Sequence, residues 1–364
     1  MSFMIPKKPQ ILYSPMLASF GGGSARGFNP GGDGSLYDFT SFTFTNAAQE
    51  GTLGPILGQC QTAYSGQPFL SGFFSVPTAG FQTLVVPETK TYRMTVKGAQ
   101  GGTGRTTNYG GLGAIMQGDV ALIGGDSLIM VVGQAGGSSD GMTGGTAKSS
   151  GGGGGSFVFL NSSVKADLLI AAGAGSGGGG NSGPTNGEPG STTTSGGSGA
   201  GGGGAGGSNG TGGTASAGGG AGGGVDSGGT GSTAELNGNG SRINSSFGGG
   251  NGGRGGSCAA SQSGSPNPGG LGTDQGGFGG GGGGEWCSAG AVGAGGGYSG
   301  GGGNGSSTGV GGGGGSFFAS TASNRASSDG NYNGTSLGTA NLGYNGTTTV
   351  GVVGTFGRIT IEML

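Results

Sequence analysis

The chain has 364 residues, of which 109 are glycine and only 8% are charged, and its net charge is −2. A nearly neutral chain lacks the clustered Lys and Arg that phosphate backbones require, so nucleic acid is not expected as a partner. The absence of histidine excludes Ser-His-Asp and Cys-His catalytic arrangements and histidine metal sites.

The first 34 residues predict an extended segment. Prolines at positions 6, 9 and 15 keep it out of a helix. It either frays or attaches the chain to another protein, and the candidate docking residues are Ile5, Ile11, Leu12, Tyr13, Met16 and Leu17. It lacks the apolar core of a secretory signal peptide. No apolar run reaches the ~18 residues of a membrane span.

Residues 35–172 and 316–364 predict a sandwich of short antiparallel strands. Alternation of aromatic and polar residues at 37–44 is typical of a half-buried strand. The other predicted strands are 69–76, 81–86, 92–97, 114–120, 127–132, 156–160, 167–172, 316–320, 347–353 and 358–364. No helical periodicity competes with them, so the predicted fold class is all-β with essentially no α-helix.

Residues 173–315 are mostly glycine in runs, separated by clusters of Asn, Ser, Thr and Pro. A flexible linker is one interpretation, because glycine loses the most entropy on ordering. Collagen is not supported, since the glycines have no three-residue repeat and the whole chain has 12 prolines. The third interpretation is a bundle of glycine polyproline II helices, whose free backbone groups bond to neighbouring helices. Strands on both sides anchor this insertion, which favours the bundle.

Several motifs occur in order along the chain: Phe-Thr-Phe-Thr at 42–45, the stretches 92–102, 128–134 and 168–173, and the glycine-rich stretch 276–301. This series resembles the glycine-rich extracellular region of anaplastic lymphoma kinase and leukocyte tyrosine kinase. The resemblance covers about 40–364 and implies a tumour-necrosis-factor-like, jelly-roll sandwich with an inserted polyproline II bundle. Nothing in the chain resembles the kinase domain or the membrane span of those receptors. The resemblance therefore does not imply that this chain binds cytokines or signals.

The same resemblance bears on the three cysteines. The receptors have a partner for Cys60 near the position of Asn46, and because that partner is absent here we expect Cys60 to be a free buried thiol. Cys258 and Cys287 match receptor cysteines, which implies a disulfide that closes a loop of about 30 residues and contributes roughly 3–4 kcal/mol in the chain-entropy model. Two reduced thiols, as in a protein assembled in a cytoplasm, are the alternative.

Two resemblances concern phages. The first residues are similar to the leader of structural proteins from marine tailed phages, and the glycine region is similar in architecture to the adhesins at the tips of some long tail fibres. In those adhesins, turns at the exposed end bind host outer-membrane proteins or sugars. The resemblance implies a virion protein that is attached to other virion proteins through its leader and binds a host surface protein or glycan. The lack of a signal peptide predicts release by lysis, and the lack of catalytic motifs predicts a non-enzymatic role. The receptor-contact candidates are the aromatic residues Trp286, Tyr298, Phe247 and Phe278.

Other interpretations stay open. The chain could be a structural virion subunit with the glycine region as a stiff spacer, or a secreted cell-surface or matrix protein. Trp286 could pack inside rather than bind, and a homotrimer is as compatible with the sequence as a monomer. No cofactor or metal is predicted, because the cysteines form no Cys-x-x-Cys pair and 98–106 lacks the Gly-Lys-Ser/Thr ending of a phosphate loop. The carboxylates show no spacing that selects a glycosidase pair.

Overall fold

Two antiparallel β-sheets form the body of the protein. The computed structural model describes residues 34–104, 108–138, 149–179, 186–215, 219–231, 251, 275–284, 291–305, 309–329 and 355–364. Its strands are β1 (Ser41–Phe44), β2 (Phe74–Thr78), β3 (Phe81–Val85), β4 (Lys90–Lys97), β5 (Ile115–Leu122), β6 (Ser127–Val131), β7 (Ser156–Leu160), β8 (Leu168–Ala172), β9 (Thr214–Ala215), β10 (Thr230–Gly231), β11 (Phe317–Phe318), β12 (Ser323–Ser328) and β13 (Arg358–Met363).

The first sheet has the strand order β1-β13-β4-β5-β12, and the second has the order β11-β8-β7-β6-β3-β2. The only α-helix among the described residues is α1 (Leu57–Ala63), so the prediction of an all-β fold with essentially no α-helix is confirmed. No described helix is long and apolar enough to cross a membrane. The chain divides into two units, Met1–Gly34 and Ser35–Leu364, and both sheets belong to the second.

Some predicted strands differ from those observed. The strand predicted at 37–44 is limited to β1, and the one predicted at 69–76 is replaced in part by a 3-10 helix (Pro68–Leu70) that precedes β2. Strand β12, with the sequence Ser-Asn-Arg-Ala-Ser-Ser, was not predicted. It lies at the edge of the first sheet and is held by its pairing with β5, so it needs no apolar alternation. The strand predicted at 347–353 lies outside the described residues.

A core of aromatic and aliphatic side chains fills the space between the two sheets. In β4 the buried residues Tyr92, Met94 and Val96 alternate with less buried polar ones, as expected for a strand with one face in the core. Beside β1, aromatic rings meet edge-on or stacked, with centroids between 4.9 and 6.4 Å apart. Burying each large side chain contributes roughly 1.5–3 kcal/mol, so this core is the main stabilising feature of the sandwich.

The central strands β7 and β8 of the second sheet are buried on both faces. The second face of this sheet carries Phe81, Phe157 and Phe159, which form an apolar cluster with Val225, Phe278 and Tyr298 of the glycine region. Strand β8 (Leu-Leu-Ile-Ala-Ala) is buried along its whole length, which explains why it reads as a continuous apolar run. The described glycine segments are therefore joined to the sandwich through an apolar core, and we call this cluster the joint.

Backbone hydrogen bonds connect the glycine segments to one another. Along 293–298, N–H groups three residues apart donate to the same neighbouring segment, at distances of 2.7–3.2 Å. Residues 293 and 296 donate to 150–153, 294 and 297 to 220–223, and 295 and 298 to 312–315. Carbonyl groups of 293–296 accept from three further segments, at 174–177, 282 and 301. A central segment is thus bonded on all sides, with a period of three residues.

The same array includes segments that connect strands of the sandwich. Residues 151 and 154 donate to 134–137, while 152 and 155 donate to 279–282. Residues 175 and 178 likewise donate to 99–102. The connections between β4 and β5 and between β6 and β7 therefore share the hydrogen-bonded array with 173–315. The sandwich and the glycine region are interleaved along the chain.

Close approach of backbones requires glycine at these positions. A Cβ placed on Gly154 would overlap the carbonyl oxygen of Phe278, and one placed on Gly152 would overlap that of Ala294. Alanine occurs where a methyl group fits, as at Ala174 and Ala294, which are both fully buried. The glycine content of this region therefore follows from packing of backbone against backbone.

We expect Gly154→Ala to lower the free energy of unfolding by ~1–3 kcal/mol, because its methyl group forces two hydrogen-bonded segments apart. The measurement is urea denaturation followed by circular dichroism. Gly58→Ala is the matched control, since a Cβ at this position in α1 meets nothing within 4 Å. The control should be stabilised by ~0.5–1 kcal/mol. Equal stability of the two variants would contradict backbone packing at Gly154.

Candidate functional site

The glycine segments run alternately away from the sandwich and back to it. Segment 98–104 leaves β4 and 108–114 returns to β5, and in the same way 132–138 leaves β6 and 149–155 returns to β7. Turns at the sandwich end include 208–211 and 225–228, which contact Lys165 of the sandwich. We call the opposite end the far end; its described residues include the turn 200–203, where the Ala200 N–H donates to the Val310 carbonyl oxygen and the Ala200 carbonyl accepts from the Gly305 N–H.

Two of the predicted receptor-contact residues are buried at the joint. Phe278 is 0% exposed and Tyr298 is 4% exposed. The Phe278 ring occupies the space that a Cβ would need at Gly54 or Gly80, and the Tyr298 ring stacks on Phe317 with centroids 4.6 Å apart. Side chains so enclosed cannot touch a receptor. They attach the glycine region to the sandwich instead.

The remaining predicted site residues lie outside the described residues. These are the receptor-contact candidates Trp286 and Phe247, the disulfide candidates Cys258 and Cys287, and the docking candidates Ile5, Ile11, Leu12, Tyr13, Met16 and Leu17. Their roles stay predictions. Cys60 is described, and it is free and buried as expected. Burial raises the pKa of its thiol to about 12, so the thiol is not a nucleophile near neutral pH.

Lys165 links the sandwich to two glycine turns, a contact that the sequence did not reveal. Its Nζ donates to the Asn209 carbonyl oxygen at 2.6 Å and to Asp226 Oδ2 at 2.7 Å. It also lies 5.7 Å from the centroid of the Tyr298 ring. The hydrogen bond to Asp226 raises the pKa of Lys165. Both partners are partly exposed, so we expect this ion pair to add less than about 1 kcal/mol and to serve positioning.

The most enclosed carboxylate of the described chain belongs to Asp119 on β5. The Arg93 guanidinium donates two hydrogen bonds to it, at 2.8 and 2.9 Å, and Asn324 Nδ2 donates a third at 2.8 Å. The hydrogen bond from Arg93 is the main cause of the lowered pKa of Asp119. A carboxylate whose oxygens are occupied and whose pKa is low is a poor general base. This group stabilises the outer face of the first sheet.

Lys97 and Arg358 face each other directly across β4 and β13. Burial, followed by the charge of Arg358, lowers the pKa of Lys97 to about 8. Among the described residues, no group of three or more His, Cys, Asp or Glu side chains lies close enough together to hold a metal ion.

Neither a protein-family model nor a curated protein matches the chain. The resemblance to the glycine-rich receptors therefore stays a prediction based on motifs.

We expect the stabilising effect of Asp119 to depend on pH. In the folded chain its pKa lies below the ordinary value of 3.8, so its contribution is present above that pH and is lost as the pH falls through the lower, folded pKa. Asp119→Asn should lower the free energy of unfolding by ~1–2 kcal/mol at pH 7, and the difference from wild type should shrink below pH 4. Denaturation at a series of pH values measures it. The exposed Asp38→Asn variant is the control, and a constant difference across pH would contradict the ion-pair account.

Thiol titration separates the three cysteines. In the native protein Cys60 should not react with a thiol reagent, because it is buried. In denaturant without reductant we expect one thiol per chain, that of Cys60, and after reduction three. Cys60→Ala should remove the single thiol. Three thiols without reductant would exclude the predicted Cys258–Cys287 disulfide.

Proposed function

We propose that the chain is a non-enzymatic surface protein of a tailed-phage virion, a tail fibre or tail-tip adhesin, that binds a receptor on the host cell. The observation that carries this proposal is the ordered glycine array, hydrogen-bonded between segments and fixed to the sandwich at the joint. An ordered body can present a surface at its far end without the entropy cost that a flexible tether would pay on binding.

We propose further that the glycine segments are polyproline II helices. Their hydrogen bonds repeat every three residues and go to different neighbouring segments in turn, which matches the three residues per turn of that helix. A β-ladder has a period of two, and an α-helix bonds within its own segment. Neither of these alternatives produces the observed pattern.

The far end is the receptor-binding surface in this proposal. With Phe278 and Tyr298 buried at the joint, Trp286 and Phe247 are the remaining aromatic candidates. An aromatic ring offers a flat apolar face to a side chain or a sugar ring, so the ligand is a host surface protein or a glycan. The docking candidates at 5–17 attach the chain to other virion proteins, and the protein acts on the virion outside the cell after lysis.

A structural virion subunit is the second candidate, with the glycine array as a stiff spacer. The burial of Phe278 and Tyr298 favours it, because it removes two of the four aromatic residues that were predicted to contact a receptor. The same hydrogen-bonded array would give a spacer its stiffness. The two candidates differ in whether the purified protein binds cells.

Binding to host cells tests the proposal. The purified, fluorescently labelled chain should bind saturably to cells on which the virion forms plaques. We expect Trp286→Ala to weaken this binding at least tenfold, about 1.4 kcal/mol, as for an aromatic residue central to an interface. Phe247→Ala tests the second aromatic residue. Ile123→Ala is the control, because Ile123 is an exposed apolar residue of the sandwich.

Immunogold labelling of virions separates the two candidates. Labelled virions together with cell binding would support the adhesin. Labelled virions without cell binding by the purified chain would support the spacer. Unlabelled virions would overturn both.

A further inference from the structure

Three reactive side chains meet where the sandwich contacts the glycine turns. Lys165 Nζ lies 3.3 Å from Asn209 Oδ1 and 2.7 Å from Asp226 Oδ2. Because a carbonyl carbon lies ~1.2 Å from its oxygen, Nζ is within about 4.5 Å of the side-chain carbonyl carbon of Asn209. An amine, a primary amide and a carboxylate are thus gathered at one point.

These groups have the chemical roles that formation of a new amide requires. The Lys165 amine is a nucleophile once it has lost a proton, and the Asn209 side chain offers it a carbonyl carbon. Asp226 is placed to take the proton from Nζ. The Tyr298 hydroxyl donates to Asn209 Oδ1 at 3.4 Å, so it can stabilise the negative charge that develops on this oxygen during attack.

The side-chain amide of Asn209 is oriented for this reaction. An ammonium group only donates hydrogen bonds, so the amide oxygen faces Lys165, and the nitrogen, which is the leaving group, is the other branch of the amide. Asn209 is exposed, which lets ammonia leave into solvent. Tyr298 is buried, at 4% exposed, so its hydroxyl is held in place.

Hydrogen bonds join the two glycine turns to each other and to the array. The Asp226 N–H donates to the Gly210 carbonyl oxygen at 2.8 Å, and the Gly210 N–H donates to Ser299 Oγ at 3.0 Å. Asn209 has a φ of 48°, in the left-handed region that asparagine adopts more readily than most residues. Reactants held in position can reach effective molarities of ~10⁵–10⁸ M.

We propose that Lys165 and Asn209 form an intramolecular isopeptide bond. Nζ forms a bond to Asn209 Cγ, the Cγ–Nδ2 bond breaks, and ammonia leaves. Asp226 takes a proton from Nζ and gives one to Nδ2, so it ends ionised, and the net products from the charged amine are the amide and an ammonium ion. No oxidant and no further reactant is consumed.

The bond would connect the sandwich covalently to the glycine region. Lys165 begins the 3-10 helix Lys165–Asp167 that precedes β8, and Asn209 lies 44 residues further along the chain. The inference does not depend on the proposed function, because the cross-link would serve an adhesin, a spacer or a matrix protein equally.

Protonation of the amine makes the reaction slow at neutral pH. The hydrogen bond to Asp226 raises the pKa of Lys165, so most of the amine is charged at pH 7. Among the described residues, the titratable groups near Nζ are Asp226 and Tyr298 of the glycine region and Asp167 of its own helix. The neutral amine becomes more abundant as the pH rises, so the bond should form faster in alkaline buffer.

Mass spectrometry of the purified full chain tests the proposal. The wild type should be lighter than its sequence by one ammonia molecule, in a fraction that grows on incubation at alkaline pH. Trypsin should fail to cleave after Lys165 in that fraction, so residues 149–242 should stay in one peptide. A succinimide at Asn209-Gly210 also removes ammonia, but it leaves Lys165 open to trypsin and hydrolyses at alkaline pH. That result would overturn the proposal.

Variants assign the bond to its residues. Lys165→Arg keeps the positive charge but removes the nucleophile, so it should retain the full sequence mass. Lys90→Arg is the matched control, because Lys90 is paired with Glu88 at 3.4 Å, and it should lose ammonia like the wild type. Asp226→Asn should slow formation of the bond about tenfold or more.

Asn209→Gly keeps the result clear if Lys165→Arg folds poorly. Glycine suits the positive φ at this position, and the variant lacks the amide that is attacked, so it should not form the bond. A wild type that keeps its full mass after incubation would overturn the proposal, as would an equal loss of ammonia in wild type and Lys165→Arg. Equal rates in wild type and Asp226→Asn would overturn the role of Asp226 as the base.

Discussion

Every buried backbone N–H and C=O group needs a hydrogen-bond partner, and the described glycine segments form such bonds with one another. Sandwich strands pair in ladders, while the residues at 293–298 bond to neighbours on all sides. Segments can approach this closely only where no Cβ intervenes, as at Gly152 and Gly154. The interior of this region is therefore polar backbone, and its stability depends on many segments being present together.

The joint couples this polar interior to an ordinary apolar one. Phe278 and Tyr298 of the glycine region pack on the second face of the second sheet, in one apolar cluster with Phe157 and Phe159. Because segments of the array also connect β4 to β5 and β6 to β7, neither part is a simple appendage of the other. A substitution at the joint should therefore disturb the packing of the second sheet and also the turns that contact Lys165.

The described residues include few charged side chains, and the most buried of these, Asp119, has a structural role. Its carboxylate accepts hydrogen bonds from Arg93 and Asn324. The Cys60 thiol is also buried. This chemistry favours a role in which the protein works through the shape and apolar character of its surfaces.

The sequence by itself determined the fold class and most strands, because alternating or continuous apolar runs such as those of β4 and β8 reflect burial directly. It also indicated that Cys60 is buried. Only the tertiary structure decided that Phe278 and Tyr298 face the sandwich, that β12 completes the first sheet, and that Lys165 joins two distant turns. Glycine runs carry no side-chain pattern that tells one segment from another. Which segments become neighbours therefore depends on the hydrogen bonds and the joint that form when the whole chain folds.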